Sequence, residues 1–135
     1  MLALLVLNLG ASGFTTFKLI TASPKEPAPE TPTLEVTGPL ERLEPFVVNL
    51  DEPVARYLRT TLTLELESHD AVDAVEHSLH PLRDMILAYL SGLHVADTLG
   101  TRGRDKLRGE LIAKIEHLIG PHQVRRIFFT EFVIQ

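Results

Sequence analysis

In the middle of the chain, hydrophobic and polar residues repeat every two positions. Five leucine or threonine residues alternate with five charged or hydroxyl residues, which is the pattern of a β-strand with one buried and one solvated face. The two sets are Leu58, Thr60, Leu62, Leu64 and Leu66, and Arg59, Thr61, Thr63, Glu65 and Glu67. A shorter apolar run, Phe46 to Leu50, precedes them, and the turn residues between the two runs predict a β-hairpin.

After this strand, apolar residues recur every three or four positions instead of every two. This spacing continues through residues 72–93 and predicts an amphipathic helix. Asp70 is the predicted N-cap, and Ser91-Gly92 the predicted end. Because the apolar stripe continues past Pro81, the pattern favours one helix that bends at this proline.

A second amphipathic helix is predicted from about Thr101 to Ile119. Gly120-Pro121 follows it and ends it. Its predicted inward residues are Leu107, Leu111, Ile115 and Leu118.

The chain ends in an apolar run of strand-forming residues, RIFFTEFVIQ, from Arg126 to Gln135. Simple alternation places Ile127, Phe129 and Val133 on one face, and Phe128, Phe132 and Ile134 on the other. Since both faces are apolar, we expect this strand to be covered on both sides or to lie centrally in its sheet. The order β-β-α-α-β predicts an α+β fold, with the helices on one face of a small antiparallel sheet.

Residues 1–20 are predicted to form a single transmembrane anchor. No charged side chain occurs from Met1 to Phe17, and about twenty helical residues span a hydrocarbon core of roughly 30 Å. A cleaved signal peptide and a buried core helix are the alternatives. No positive side chain precedes the apolar run, and a native start upstream of Met1 would explain this.

Residues 21–45 are predicted to be a proline-rich linker. Prolines 24, 27, 29, 32, 39 and 45 fall in it. Proline fixes φ and removes a backbone donor, so this segment is predicted to be an extended spacer of about 3 Å per residue. The folded domain is then predicted to occupy residues 46–135.

Composition narrows the classes of function. The 135 residues are 44% hydrophobic and 23% charged, as in globular proteins, and carry a net charge of −5. Without a run of basic residues to follow a phosphate backbone, nucleic acid is not a predicted partner. The chain has no cysteine, which excludes thiolate catalysis, thiolate metal sites and disulfides.

Histidine and acidic residues line one side of the first predicted helix. They are His69, Asp73, His77, His80 and Asp84, with Glu76 close by. Such spacing allows a shared metal ion, but a solvated face opposite the apolar stripe explains the same residues, and no metal is predicted. No nucleophile elbow or glycine-rich phosphate loop is present either, so the sequence predicts a protein without enzymatic activity or cofactor.

Five segments of the predicted domain resemble the FliL family of flagellar basal-body proteins in order and spacing. They are FVVNL, RYLRTTLTLEL, PLRDMILAYLS, RGRDKLRGELIAKI and IFFTEFVIQ. The most specific is the ending T-[DE]-F-V-x-Q, which is Thr130 to Gln135 here. The resemblance covers residues 46–135 in sequence and residues 1–45 only in layout.

The resemblance implies a single-pass protein of the bacterial inner membrane whose C-terminal domain lies in the periplasm. Members of the family associate with the stator channels that generate torque. Their periplasmic domains resemble the stomatin (SPFH) domain and can form a homo-oligomeric ring around the stator. The implied partners are thus stator channel proteins, further copies of this chain and the inner membrane. The predicted interface positions, in or directly before the matching segments, are Arg83, Asp84, Thr101, Phe129, Glu131 and Phe132.

One segment departs from the family pattern. The family often has Pro-Glu-Gly after the threonine that opens the second helix, whereas Thr101 is followed by Arg102-Gly103. A positive charge at a helix N-terminus is disfavoured by the helix dipole. The alternative function is a membrane-anchored periplasmic adaptor or ligand-binding module unrelated to the motor.

Overall fold

The computed structural model describes residues 33–135, which form an α+β domain, as predicted from the sequence. The predicted membrane anchor and the first part of the predicted linker lie outside these residues. The strands are β1 (Leu40–Arg42), β2 (Phe46–Asn49), β3 (Tyr57–Leu66) and β4 (Val124–Ile134). The helices are α1 (His69–His77), α2 (Leu79–Ser91) and α3 (Gly100–Ile119), with a short 3₁₀ helix at Val95–Thr98. Across residues 33–135, no helix is both long enough and apolar enough to span a bilayer.

The four strands form one antiparallel sheet with β3 in its centre. β2 pairs with the first part of β3 and confirms the predicted hairpin. β1, a strand within the proline-rich segment, pairs with the last part of β3 on the same side. β4 pairs with β3 along the opposite side. β4 is therefore an edge strand, and the expectation of a central position was wrong.

The predicted alternation in β3 is confirmed on one face and wrong on the other. The even-numbered residues from Leu58 to Leu66 are all fully buried and face the helices. On the other face, however, Thr61 and Glu65 are also buried, at 1% and 0% exposure. The predicted solvated face is thus partly covered, and at Glu65 the cover is the segment that precedes β1.

A β-bulge at Thr130 changes which residues of β4 share a face. Leu62 pairs with Phe129 and Thr61 with Glu131, so β4 carries one extra residue at this point. The extra residue brings Phe129 and Phe132 onto the same face, toward the helices, and turns Val133 away from it. The predicted assignment by simple alternation was therefore wrong beyond Thr130.

The predicted single bent helix is two helices, α1 and α2, which meet at Ser78. Pro81 lies in the first turn of α2, where its missing backbone N–H leaves no helical hydrogen bond unmade. The N-cap of α1 is Ser68 rather than Asp70, because the Ser68 hydroxyl accepts a hydrogen bond from the Ala71 amide at 3.3 Å.

The hydrophobic core lies between the sheet and the three helices. Helix α2 packs against β2 and α3 against β4, so the two helices lie over opposite edges of the sheet. Leu107, Leu111 and Ile115 of α3 are buried as predicted. Leu118, also predicted to point inward, is 39% exposed.

Two glycines of α3 give opposite predictions for alanine substitution. A Cβ at Gly109 would meet nothing within 4 Å, so Gly109→Ala is expected to stabilise the domain by about 1 kcal/mol through helix propensity. A Cβ at Gly103 would lie 2.7 Å from the Asp97 carbonyl oxygen, so Gly103→Ala is expected to destabilise it by about 1–3 kcal/mol. Denaturant unfolding of both variants measures the difference, and a loss of stability in Gly109→Ala would contradict the first expectation.

Candidate interaction surfaces at the two edges of the sheet

The outer edge of β4 is covered by α3 only along its first half. The Glu116 carboxylate accepts a hydrogen bond from the Val124 amide at 3.2 Å, and the Arg108 Nε donates one to the Ile127 carbonyl at 3.2 Å. No helix side chain in residues 33–135 bonds to the backbone of residues 128–134. An uncovered strand edge offers backbone donors and acceptors to another chain. The second half of β4 is therefore a candidate docking edge.

Two arginines and two phenylalanines stack beside this edge, in the flank between α3 and β4. The rings of Phe129 and Phe132 meet edge to face with centroids 5.4 Å apart. The Arg108 guanidinium lies 5.2 Å from the Phe129 centroid, and that of Arg104 lies 5.2 Å from the Phe132 centroid. We call these four residues the β4 flank.

The β4 flank carries positive charge that is only partly compensated. Arg108 is paired with Asp105 at 2.6 Å. Arg104 is exposed and makes no ion pair with any residue in the described part of the chain. Arg102, two residues nearer the helix start, is exposed as well. A partner of this flank would therefore gain from carrying carboxylates.

On the opposite edge, Arg83 has a structural role. Its guanidinium donates hydrogen bonds to the Glu44 carbonyl at 2.8 Å and to the Pro45 carbonyl at 3.3 Å. It also lies 4.4 Å from the centroid of the Phe46 ring. Arg83 thus fixes the segment between β1 and β2 onto α2. Beside it, the exposed carboxylates of Asp84 and Glu44 make no ion pair within residues 33–135.

Glu131 lies at a third location, on the face of the sheet that points away from the helices. Its carboxylate accepts hydrogen bonds from the Arg59 Nε at 2.8 Å and from the Thr61 hydroxyl at 3.1 Å. A shallow groove of about 460 Å³ lies here, lined by Arg42, Thr61, Thr63, Thr130 and Glu131. The ion pair between Glu131 and Arg59 contributes to holding β4 onto β3.

The six predicted interface residues therefore do not form one site. Phe129 and Phe132 lie in the β4 flank, and Thr101 is exposed in the first turn of α3. Arg83 and Asp84 lie on α2, over the other edge of the sheet, and Glu131 lies on the face away from the helices. Whether any of them contacts a partner stays a prediction.

Sequence reasoning missed Arg104 and Arg108. Their spacing of four residues is a signal that both lie on one side of α3. Nothing in the sequence says that this side faces β4, because that depends on how the helix packs on the sheet.

It also missed a buried carboxylate that holds the N-terminal segment onto the sheet. Glu65 is fully buried, and its Oε1 accepts hydrogen bonds from the amides of Thr37 and Gly38 at 2.9 and 3.1 Å. Its Oε2 accepts one from the Arg126 Nε at 2.6 Å. We call Glu65, Arg126 and residues 34–38 the clasp.

Two further contacts strengthen the clasp. Arg126 also donates to the Glu35 carbonyl at 2.6 Å, and Arg125 donates to the Thr37 hydroxyl. A Cβ on Gly38 would lie 2.0 Å from the Leu66 carbonyl oxygen, so only glycine allows this close approach. Residues 34–38 are therefore held at a fixed position on the sheet.

The shifted pKa values belong to groups that hold the fold together. Hydrogen bonding by Arg126 and by the Thr37 amide lowers the pKa of Glu65 to about 2. Hydrogen bonding by Arg125 lowers the pKa of Glu67, and Glu67 in turn raises the pKa of Arg125. Burial, together with the hydrogen bond that Tyr89 donates to Glu110, raises the pKa of Tyr89. These groups keep one charge state at neutral pH, which suits ion pairing rather than proton transfer.

The line of histidine and acidic residues on α1 and α2 is a solvated surface. His69, Asp73, His77, His80 and Asp84 are all exposed. Within residues 33–135, no three His, Asp or Glu side chains come together closely enough to hold a metal ion.

Comparison with known proteins identifies the family. Residues 41–135 match the family described as flagellar basal body-associated protein FliL. The chain is 34% identical over 110 residues to the flagellar protein FliL of Aquifex aeolicus (strain VF5), across 80% of this chain and 68% of that protein. It is 29% identical over 94 residues to the flagellar FliL protein of Caulobacter vibrioides (strain NA1000 / CB15N), across 68% of this chain and 46% of that protein. The family match covers 41–135 and includes both edges of the sheet, and the chain therefore belongs to the FliL family.

Proposed function

We propose that this protein is a non-enzymatic accessory protein of the bacterial flagellar motor that associates with stator units. The observation that carries this proposal is the family match across residues 41–135, together with relatives named as flagellar FliL proteins. In this proposal the domain forms a homo-oligomeric ring around the stator channel and supports torque generation for swimming and swarming.

The proposed location is the bacterial inner membrane, with one N-terminal helix as the anchor and the domain in the periplasm. Anchoring confines the copies to two dimensions and raises their local concentration, so weak contacts between domains suffice for assembly. The clasp fixes where residues 34–38 join the sheet.

The two edges of the sheet supply physical support for self-assembly. Within residues 33–135, no helix side chain bonds to the backbone of the second half of β4, and exposed arginine and carboxylate side chains flank the two edges. Proteins usually protect such strand edges unless a partner covers them. The shifted pKa values belong to ion pairs and hydrogen bonds that hold the fold.

The proposal is tested by deleting the gene and measuring swimming in soft agar and swarming on a surface. We expect reduced motility, with the larger effect under the higher load of swarming, and recovery when the full chain is expressed in trans. Crosslinking in intact cells should capture the full chain on a stator channel protein. Normal motility together with no stator crosslink would contradict the proposal and favour an adaptor or ligand-binding module unrelated to the motor.

A further inference from the structure

We propose that copies of this chain meet head to tail, with the β4 flank of one copy docked on the acidic β2 edge of the next. The β4 flank is Arg104, Arg108, Phe129 and Phe132, and the acidic β2 edge is Asp84 and Glu44 beside β2. This inference rests on the ring in the proposed function and specifies which two surfaces of the domain form it.

The two edges lie at the same level of the sheet. Residues 46–49 and residues 132–134 pair with the same stretch of β3, on its two sides. Thr60 of that stretch is opposite Phe46 on one side and opposite Phe132 on the other. The open half of β4 and the edge strand β2 are therefore level across the sheet, so a shift perpendicular to the strands brings one beside the other.

Opposite charges occur near that level on the two edges. Arg104 lies over Phe132, and Glu44 lies two residues before Phe46, which is level with Phe132. Asp84 is on the exposed side of α2, about 100° around the helix from Arg83. A head-to-tail contact thus brings Arg104 of one copy toward Asp84 and Glu44 of the next. Neither Arg104 nor Asp84 has an ion-pair partner within the described part of its own chain.

Arg83 offsets only part of the acidic charge available to a neighbour, because Asp84 and Glu44 carry −2 together and Arg83 carries +1. Its guanidinium bonds to two backbone carbonyls and lies over the Phe46 ring, and it forms no ion pair with either carboxylate. The carboxylates of Asp84 and Glu44 remain exposed.

Charge disfavours the two-fold alternatives. A contact of β4 with β4 would place Arg104 of one copy near Arg104 of the other. A contact of β2 with β2 would likewise bring the two Asp84 residues together. Like charges brought together at an interface are unfavourable, whereas the head-to-tail arrangement pairs opposite charges. A contact between two different surfaces continues from copy to copy and closes into a ring when its rotation allows.

Cysteine crosslinking of the full chain in bacterial membranes tests the contact, since the native chain has no cysteine. Asp84→Cys and Arg104→Cys are made separately and together, and treated with a short bismaleimide. We expect a ladder of oligomers from the double variant, dimers from the two single variants expressed together, and monomer from either single variant alone. Arg56→Cys, exposed before β3, replaces Arg104→Cys as the matched control and should give monomer in both combinations.

Charge reversal supplies a second readout. Asp84→Arg or Arg104→Asp alone should weaken assembly at least about tenfold, because each brings like charges together, and the double exchange should restore it. Both residues are exposed and only Arg104 has a ring contact, with Phe132, so we expect the melting temperature of each variant to stay within about 5 °C of the wild-type value.

Three results would overturn the inference. Dimers from Arg104→Cys alone would show a two-fold contact instead. Assembly that persists without any crosslink between positions 84 and 104 would reject these surfaces but leave the ring in place. Monomeric wild-type chain in membranes would reject the ring itself, while stator crosslinks and the motility defect would show whether the motor role stands independently.

Discussion

Glu65→Gln is expected to lower the melting temperature on the order of 10 °C and to release residues 34–38 from the sheet. The Glu65 carboxylate accepts two backbone amide hydrogen bonds and one from Arg126, all in a fully buried position. Glutamine keeps the shape of the side chain but replaces one acceptor oxygen with an NH₂ donor. This NH₂ group would then face either the backbone amides or the Arg126 guanidinium, which are donors too. The substitution also leaves Arg126 without its ion-pair partner.

Thermal unfolding and hydrogen exchange of the full chain measure these two effects. We expect the amides of Thr37 and Gly38 to lose protection in Glu65→Gln before the rest of the sheet does. Glu67→Gln is the matched control, because Glu67 pairs with Arg125 at 2.6 Å on the half-exposed surface. Equal changes in both variants would show that the buried clasp stabilises the domain no more than the half-exposed ion pair does.

The same carboxylate makes stability depend on acid pH. The pKa of Glu65 is lowered from an ordinary value of 4.5 to about 2 in the folded domain. The stabilisation that Glu65 provides is therefore complete above about pH 4.5 and is lost as pH falls from there toward about 2. Denaturant unfolding at pH 6, 4 and 3 should show a smaller decline in Glu65→Gln than in the wild-type chain, and identical declines would contradict this.

Phe129→Asp is expected to destabilise the domain by about 3–5 kcal/mol, which is a large part of the stability of a domain of this size. Phe129 is on the face of β4 that packs against the core, in edge-to-face contact with Phe132 and beneath Arg108. The change removes the ring and places a carboxylate against the core. Denaturant unfolding of the purified full chain provides the measurement.

Phe128→Asp is the control, because Phe128 lies on the opposite face of the same strand, next to Arg126. We expect it to cost about 1 kcal/mol. If the two variants had equal stability, the bulge at Thr130 would not divide the faces as described. Since Phe129→Asp is expected to destabilise the domain strongly, loss of assembly in that variant would say nothing about an interface, and exposed positions such as Arg104 are the informative ones.

The parts of the fold that were predicted from the sequence are those that depend on local periodicity. The alternation of β3 and the apolar stripe of α3 arise from residues two to four positions apart, and each fixes which side of its element is apolar. The ordered pattern of five segments was also sufficient to predict the family.

The β-bulge in β4 left no mark in the sequence. Both faces of the C-terminal run are apolar, so inserting one residue changes which side chains face the core without disturbing any pattern of polarity. The edge position of β4 was equally hidden, since an apolar strand can be covered by a helix or a partner as well as by other strands.

The sequence by itself thus determined the class of fold, the inward faces of β3 and α3, and the family. Only the tertiary structure decided the strand order, the burial of Glu65 and the alignment of Arg104 with Phe132. Glu65 is paired with residues about 30 positions before it and 61 positions after it, and Arg104 lies over Phe132, 28 positions after it. Such contacts join segments that are distant in the chain, so they depend on packing of the whole domain rather than on any local pattern of residues.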